Sequence, residues 1–389
     1  MTSSESIGQR IARLRHRRGY SQSKLATLAS TTRDTIAAAE IGRYTPSVSV
    51  LGAIANALDV DVERLNGVRE DDSEALHELV PTIRRALAAV DLVLDGVEPR
   101  PLQAIQVDIV QLGEWRRATK YNKIGVVLPD IIDELLVATS DSGEPAYAML
   151  TGAYRAANTL GHKLGYADLS LTAVERMEWA SARSGDPLLV AMTHYLRAAA
   201  LARIGAGPQA MVLLNRTIDE VQPLAEPGNT IASAVYSALH MKAGTIAAAL
   251  HRAEASQSHL EEAAKFAGTG DRIVHETVVG PTNVQLHQLA AAVDLGDLGK
   301  ATAIADGLHM PDGYARERVA YGLADTARMH LGKGEVDLAI DALYEASEVA
   351  PEHFKAAAIQ LTIGEARAQE RRSGRSIGEL EIRAGIKSY

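Results

Sequence analysis

Arginine and lysine crowd toward one end of this chain. Residues 1–68 hold Arg10, Arg13, Arg15, Arg17, Arg18, Lys24, Arg33, Arg43 and Arg64 against six acids, Glu5, Asp34, Glu40, Asp59, Asp61 and Glu63. That segment is therefore +3 in a chain of net charge −9, which leaves −12 for the rest. Eight of the nine bases precede residue 44, while three of the six acids follow it. A basic head on an acidic body points the head alone at a polyanion. The competing account of a basic run is a solvated helix face, and charge by itself does not separate the two.

Covalent and metal chemistry find little to work with. The chain has no cysteine, which removes disulfides, thiol catalysis and cysteine metal sites together. Its twelve histidines are scattered, with no HExxH and no pair of histidines joined by an acid. His251 and His259 lie eight apart on one helical segment, the spacing of a solvated face. GAGPQA and GPTN lack the lysine and the strand-turn-helix setting of a phosphate loop. Asp294 and Asp297 flank Gly296 at a helix-helix turn, where acids commonly cap. No catalytic residue, metal ligand or cofactor is predicted, and the chain reads as a non-enzyme.

The stretch SQSKLATLASTTRDTIAAAEIG, Ser21 to Gly42, is what must position the basic residues. Counted from Gln22, Leu25 and Ala26 fall on the inner face of a first helix, and Ala29 closes it. Ser30 makes the corner, Thr31 and Thr32 lead into a second helix, and Ile36 and Ala39 face back toward the first. Ser21 and Thr32 are good N-caps, and small Ala26 lets the helices cross closely. Upstream, IGQRIARLRHRRGY places Ile7, Ile11 and Leu14 at helical spacing. Downstream, VSVLGAIANALDVDVERLNG supplies Val50, Leu51, Ile54, Ala55, Leu58 and Leu65. Five short helices are expected, forming one small domain over residues 1–68.

This stretch resembles the phage-repressor (Cro-type, or XRE) helix-turn-helix family, without a gap, over about sixty residues. The residues that carry the resemblance are Ile7-Gly8, Leu14-Arg15, Ser21-Gln22, Leu25-Ala26, Ile36, Glu40-Ile41-Gly42-Arg43, Pro46-Ser47 and Leu65-Asn66-Gly67. Ser30 departs from it, since the family usually has glycine there. A serine in a left-handed conformation costs on the order of 1 kcal/mol, which a packed corner can absorb. The resemblance implies that the second helix enters the DNA major groove with its N-terminal residues at base edges. On this chain those positions are Thr32, Arg33, Asp34, Thr35 and Ala38. Arg33 suits a bidentate contact to guanine, Asp34 can accept from a cytosine amino group, and Ala38 can touch a thymine methyl. Gln22, Arg43 and Tyr44 would grip phosphates, with Arg10, Arg13, Arg17 and Arg18 adding long-range attraction. The bland alternative is that Arg33 and Asp34 pair with each other on a solvated surface.

Beyond Gly67, REDDSE reads as a charged linker (69–75), and residues 76–389 read as alanine-rich helices broken by Gly, Pro and Asp. Aromatics make up only 4% of the chain, so its core must come from closely packed small residues. KIGVVLP, residues 123–129, is the single ambiguous strand signal. From about 72 to 140 the helices are less regular, and after that a period near 34 residues recurs. Its clearest copy runs from Ala320 to Pro351 through Leu323, Ala327, His330, Gly334, Ala339, Leu343 and Ala346, the spacing of a tetratricopeptide repeat. Looser copies bring the count to about five. The expected fold is all-α: a five-helix lambda-repressor-like DNA-binding domain, then a tetratricopeptide-like α-solenoid.

The segments KLGYADLSLTAVERMEWASARSGDPLLVA and VVGPTNVQLHQLAAAVDLGDLGKA resemble the C-terminal regions of actinobacterial XRE regulators with tetratricopeptide repeats. More distantly, the architecture is similar to peptide-responsive quorum-sensing regulators of Gram-positive bacteria. The resemblance implies a transcription factor and names no ligand. One small head reads few bases, so a homodimer on a palindromic double-stranded operator is expected. Stacked helix pairs make a concave groove suited to a signalling peptide or a small molecule. Polar candidates on the groove-lining helices are Arg155, Asn158, Tyr195, Arg197, Asn283 and His287. An asparagine amide can bond both groups of a peptide backbone, and an arginine can hold a carboxylate. Two alternatives stand beside this: the same residues pair with their neighbours, or the repeats scaffold a protein partner without any ligand. No run reaches the ~18 apolar residues of a membrane span. The opening residues, with Gln9, Arg10 and Arg13, predict no signal peptide, so a soluble, cytoplasmic protein is expected.

Overall fold

Capping and apolar spacing start the chain as helix. The computed structural model describes residues 6–58, 60, 62, 65, 79–90, 92, 96–225, 229–370 and 377–386. Helix α1 (Ile7–Arg17) opens on a reciprocal cap: the Ser6 hydroxyl accepts from the Gln9 amide at 3.2 Å, and the Gln9 side chain accepts from the Ser6 amide at 2.8 Å. Ser21 and Thr32 start α2 (Gln22–Leu28) and α3 (Arg33–Glu40) by accepting from the amides of Lys24 and Thr35. Ser30, at the corner between them, has φ 51°, the left-handed backbone that glycine would enter at less cost. Helix α4 (Val48–Leu58) closes the head over Ile11, Leu25, Ile36, Leu51 and Ile54, all buried. Gly8 lets α1 lie against α3, since a Cβ there would come within 2.2 Å of the Ala39 carbonyl oxygen. Leu65 is buried in the same core. The fifth helix expected around it lies largely outside the described residues, and the linker at 69–75 wholly so.

Helices continue as α5 (Val80–Ala88), α6 (Leu102–Arg117), α7 (Tyr121–Ser142), α8 (Glu144–Lys163), α9 (Ala167–Ser181), α10 (Pro187–Arg203), α11 (Gly207–Val221), α12 (Thr230–Ala249) and α13 (Ala253–Phe266). A hairpin of β1 (Arg272–Val274) and β2 (Thr277–Val279) follows. Then come α14 (Pro281–Leu295), α15 (Leu298–Gly307), α16 (Arg316–Lys333), α17 (Val336–Val349), α18 (Pro351–Phe354), α19 (Ala357–Gln369) and α20 (Gly378–Arg383). The chain is all-α in class, a helix-turn-helix head followed by a helical repeat region. Packing divides it differently from the expected boundaries. One compact unit joins residues 1–72 to 201–389, and the other is 73–200.

In the 73–200 unit, Ile83, Leu87, Ile105, Tyr121, Leu128, Ile132 and Leu135 share a core with α8 and α9. KIGVVLP is helical, inside α7, with Pro129 within the helix. A short apolar run reads both ways alone, but Ile124, Leu128, Ile131 and Leu135 are buried at helical spacing, while Val126 is 65% exposed. Gly161 brings α8 onto α9, as a Cβ there would meet the Ser170 amide nitrogen at 2.8 Å.

In the other unit, α12 pairs with α13, α14 with α15, and α16 with α17. Left-handed Gly296 and Gly334 end α14 and α16 and reverse the chain, whereas His251, at φ 54°, occupies the same kind of turn after α12. In the stretch read as the clearest repeat, Ala327 on α16 and Ala339, Leu343 and Ala346 on α17 are fully buried. The hairpin was not expected. It pairs Arg272 with Val279 and Val274 with Thr277, turning through His275 and Glu276, both left-handed. Such turns are usually announced by Asn-Gly or Asp-Gly, and this one is not.

Candidate nucleic-acid interface

The pose of α3 is set at its far end by a buried clasp. Arg15 on α1 holds Glu40 with Nε to Oε1 at 2.5 Å and Nη2 to Oε2 at 2.9 Å, and its Nη1 donates to the Tyr20 carbonyl at 2.8 Å. Gln22 at the start of α2 donates to Glu40 Oε2 at 2.9 Å. Burial alone would push the Glu40 carboxyl up, but the hydrogen bonds from Arg15 and Gln22 outweigh it and hold the group below the usual glutamate range. All three helices of the motif thus converge on one carboxylate.

With that end fixed, Thr32, Arg33 and Asp34 project into solvent at the other end of α3, and Thr35 and Ala38 are half-buried. Arg33 Nη1 lies 3.9 Å from Asp34 Oδ1, with the two side chains 64% and 95% exposed. A pair so long and so exposed contributes little, and both side chains stay open to a base edge. Arg13, Arg17, Arg18, Lys24 and Arg43 of the head are exposed. Arg10 is half-buried, its Nε donating to the Leu65 carbonyl at 2.6 Å.

Two of the expected phosphate contacts are occupied otherwise. The Gln22 amide serves the Glu40 clasp, and Tyr44 turns inward. The Tyr44 ring packs in the head core, and its hydroxyl donates at 3.4 Å to both the carbonyl and Oδ1 of Asp294. Burial pushes that hydroxyl well above the ordinary tyrosine range, so it stays protonated.

Tyr44 belongs to a seam between the head and the repeats that nothing in the sequence announced. Arg328 on α16 donates to the Thr45 carbonyl from Nε at 2.9 Å and Nη2 at 2.7 Å, to Asp294 Oδ1 from Nη2 at 2.6 Å, and to Asp325 Oδ1 from Nη1 at 2.8 Å. Thr35 Oγ1 lies 3.3 Å from His251 Nε2, and the Gln369 amide donates to the Gly42 carbonyl. Gly205, at φ 83°, lets the turn after α10 reach the backbone of α4: a Cβ there would lie 2.2 Å from the Gly52 carbonyl oxygen. Asp297 does cap α15, accepting from the Lys300 amide at 3.0 Å, but Asp294 is a seam residue and no cap.

Five of the six ligand candidates are buried, and Arg197 is half-buried. In the 73–200 unit, Asn158 is buried and accepts from Ser170 Oγ at 2.7 Å, tying α8 to α9. Arg155 and Tyr195 are buried there too, and Arg197 donates to Glu178 Oε1 at 2.6 Å. In the other unit, Asn283 is 1% exposed and its Nδ2 holds the hairpin through the Val278 carbonyl at 2.7 Å. His287 is buried and neutral, pushed well below the usual histidine range by burial, with Lys242 and Arg318 adding to the effect. Asn158 and Asn283 were expected outside the core and are inside it. Asn158→Ala should therefore cost about 1–3 kcal/mol of stability by removing the buried hydrogen bond between α8 and α9, measured as a lower urea midpoint. An unchanged midpoint would return Asn158 to the ligand candidates.

His259, read as solvated, is half-buried, with Nδ1 3.1 Å from His240 Nδ1. Among the described residues no group of three or more His, Asp or Glu is arranged to hold a metal ion. Among them also, no helix is long and apolar enough to cross a membrane.

A family described as a helix-turn-helix domain matches residues 6–66. The chain is 31% identical over 111 residues to the immunity repressor protein of Bacillus phage phi105, covering 26% of this chain and 77% of that one. The solved structure of Bacillus thuringiensis PlcR in complex with the peptide PapR7 and DNA is 16% identical, with a TM-score of 0.30 over 68% of this chain and 94% of that chain. That likeness is too loose to place any residue. The chain belongs to the helix-turn-helix family of DNA-binding regulators. Its matches are regulators of transcription, not enzymes.

Proposed function

We propose that this regulator reads a palindromic double-stranded operator as a homodimer, in the cytoplasm, with the N-terminal turn of α3 at the base edges. The observation that carries the reading is the combination of exposed Thr32, Arg33 and Asp34 with the buried Arg15–Glu40–Gln22 clasp that aims them. Long donors and acceptors on a fixed helix are what base readout requires, and the surrounding bases supply phosphate attraction. Arg33→Ala should cost about 1–3 kcal/mol on the correct operator and relax the preference at one base pair. Arg17→Ala should weaken all sequences alike and flatten the salt dependence. If both variants lose affinity uniformly across sequences, Arg33 reads no base.

The repeats, taken as tetratricopeptide-like, dimerise the chain and govern the head. A signal, peptide or small molecule, acts only if it binds one arrangement of the head better than another. The buried Arg328 network supplies a mechanical route for that coupling, since it joins α14 and α16 to the head backbone. The second reading, a ligand-free scaffold for a protein partner, draws support from the burial of Asn158, Asn283 and His287.

A further inference from the structure

One acid in the seam between head and repeats has no counterpart. Glu365 on α19 is 0% exposed, and neither carboxyl oxygen has a hydrogen-bond partner. It lies against two glycines of the head. A Cβ on Gly42, itself at φ 69°, would come within 3.1 Å of Glu365 Oε2, and Gly8 is in the first turn of α1. The amides of a helix's first turn favour an anion, and the Gly8 amide pulls in that direction without completing a hydrogen bond. Of the charged groups on the elements packed against α19, namely α1, α16, α17 and α20, Arg10 is the one that acts on this carboxyl. Its Nε is already committed to the Leu65 carbonyl. On α19 itself, Arg367 pairs with Glu370 at 2.8 Å. Burial outweighs the two favourable pulls and pushes the Glu365 carboxyl up to about 7.

We infer that docking of the head onto the repeats takes up a proton at Glu365, so that the head is held while this carboxyl is neutral and loosened when it ionises. The sign follows from the two states. Freed from the seam, Glu365 returns toward the ordinary glutamate value of 4.5, while in the seam it titrates near 7. The contribution is complete below the free value and is lost as pH rises through the docked one. Between those two values each pH unit weakens docking about tenfold, and above the docked one, where both states are ionised, the dependence levels off. The head–repeat seam thereby responds to proton concentration between about pH 4.5 and 7. The inference holds whether or not the repeats take a ligand, and it does not depend on which bases α3 reads.

The absence of native cysteine makes the test direct. Ser23→Cys on α2 and Lys355→Cys beside α19 carry a fluorescence-transfer pair in the full chain, and urea is titrated at several pH values between about 5 and 8. The urea midpoint for loss of transfer should fall as pH rises to about 7 and then level off in the otherwise unchanged chain, and stay flat in Glu365→Gln. A flat midpoint in the parent, or an equal fall in Glu365→Gln, overturns the inference. Should Glu365→Gln fail to dock at all, the carboxyl carbon of Glu365 in the glutamate-labelled parent decides by NMR. Titration near 7 supports the proton uptake, and titration below 5 overturns it.

Discussion

Arg328→Met should loosen the head from the repeats by about 3–5 kcal/mol, the usual loss when one partner of a buried charge pair is removed. Methionine replaces most of the arginine stem, so packing is largely kept and the charge is what goes. Asp294 and Asp325 then lose their cation, with the Asp294 side chain only 6% exposed and its remaining neighbour, Tyr44, donating at 3.4 Å. The Thr45 carbonyl loses two donors at once. Arg328→Lys should fall between parent and methionine variant, because an ammonium keeps the charge but cannot fork between Thr45 and the two aspartates. Adding Asp294→Leu to Arg328→Met should restore part of the loss, since it removes one of the two stranded carboxylates and leaves Asp325. Chemical melts of the full chain, followed by a label on the head, measure all three. A loss within about 1 kcal/mol for Arg328→Met would mean that water already reaches the network and that the seam is held elsewhere.

The head was legible because its signals are local. Caps at Ser21 and Thr32, the left-handed corner at Ser30 and the spacing of Ile11, Leu25, Ile36 and Leu51 each depend on residues a few positions apart. The seam was not legible, because Arg328 meets Thr45 across 283 positions. A mid-helix arginine looks the same in sequence whether its head is in water or in a buried network. Tyr44 shows the same limit from the other side: a tyrosine just past a recognition helix suits a phosphate until Asp294 is known to lie beneath it. The burial of two groove candidates was hidden for a related reason. Asn158 and Asn283 were read as lining a groove, but paired helices also pack against each other, and spacing alone does not separate those two faces. The hairpin escaped because its turn, His275–Glu276, takes left-handed backbone without the residues that usually mark it.

Glu40→Ala should destroy the head's function by a different route, with the repeats left intact. Removing Glu40 takes the counter-charge from Arg15, buried in the core of the motif with the Tyr20 carbonyl and His16 Nε2 as neighbours, and frees the Gln22 amide. The cost of about 3–5 kcal/mol for an uncompensated buried charge compares with a total of roughly 3–9 kcal/mol for a domain of this size. Most of the head's stability would go, and with it the fixed angle of α3, so operator binding and amide protection in α1–α3 should fall together at neutral pH. Protection in α16 and α17, which bury their own apolar core, should persist. Glu40→Gln keeps an acceptor for Arg15 without the charge and should lie between. Acid gives an independent check. The folded-state carboxyl of Glu40 is held below its usual range, so its contribution is complete above the ordinary glutamate value and is lost as pH falls through the depressed one. Protection of α1–α3 in the parent should therefore drop more steeply below about pH 4.5 than in Glu40→Gln. Parallel acid curves for the two, or wild-type protection and operator binding in Glu40→Ala, would show that α3 is aimed by apolar packing alone.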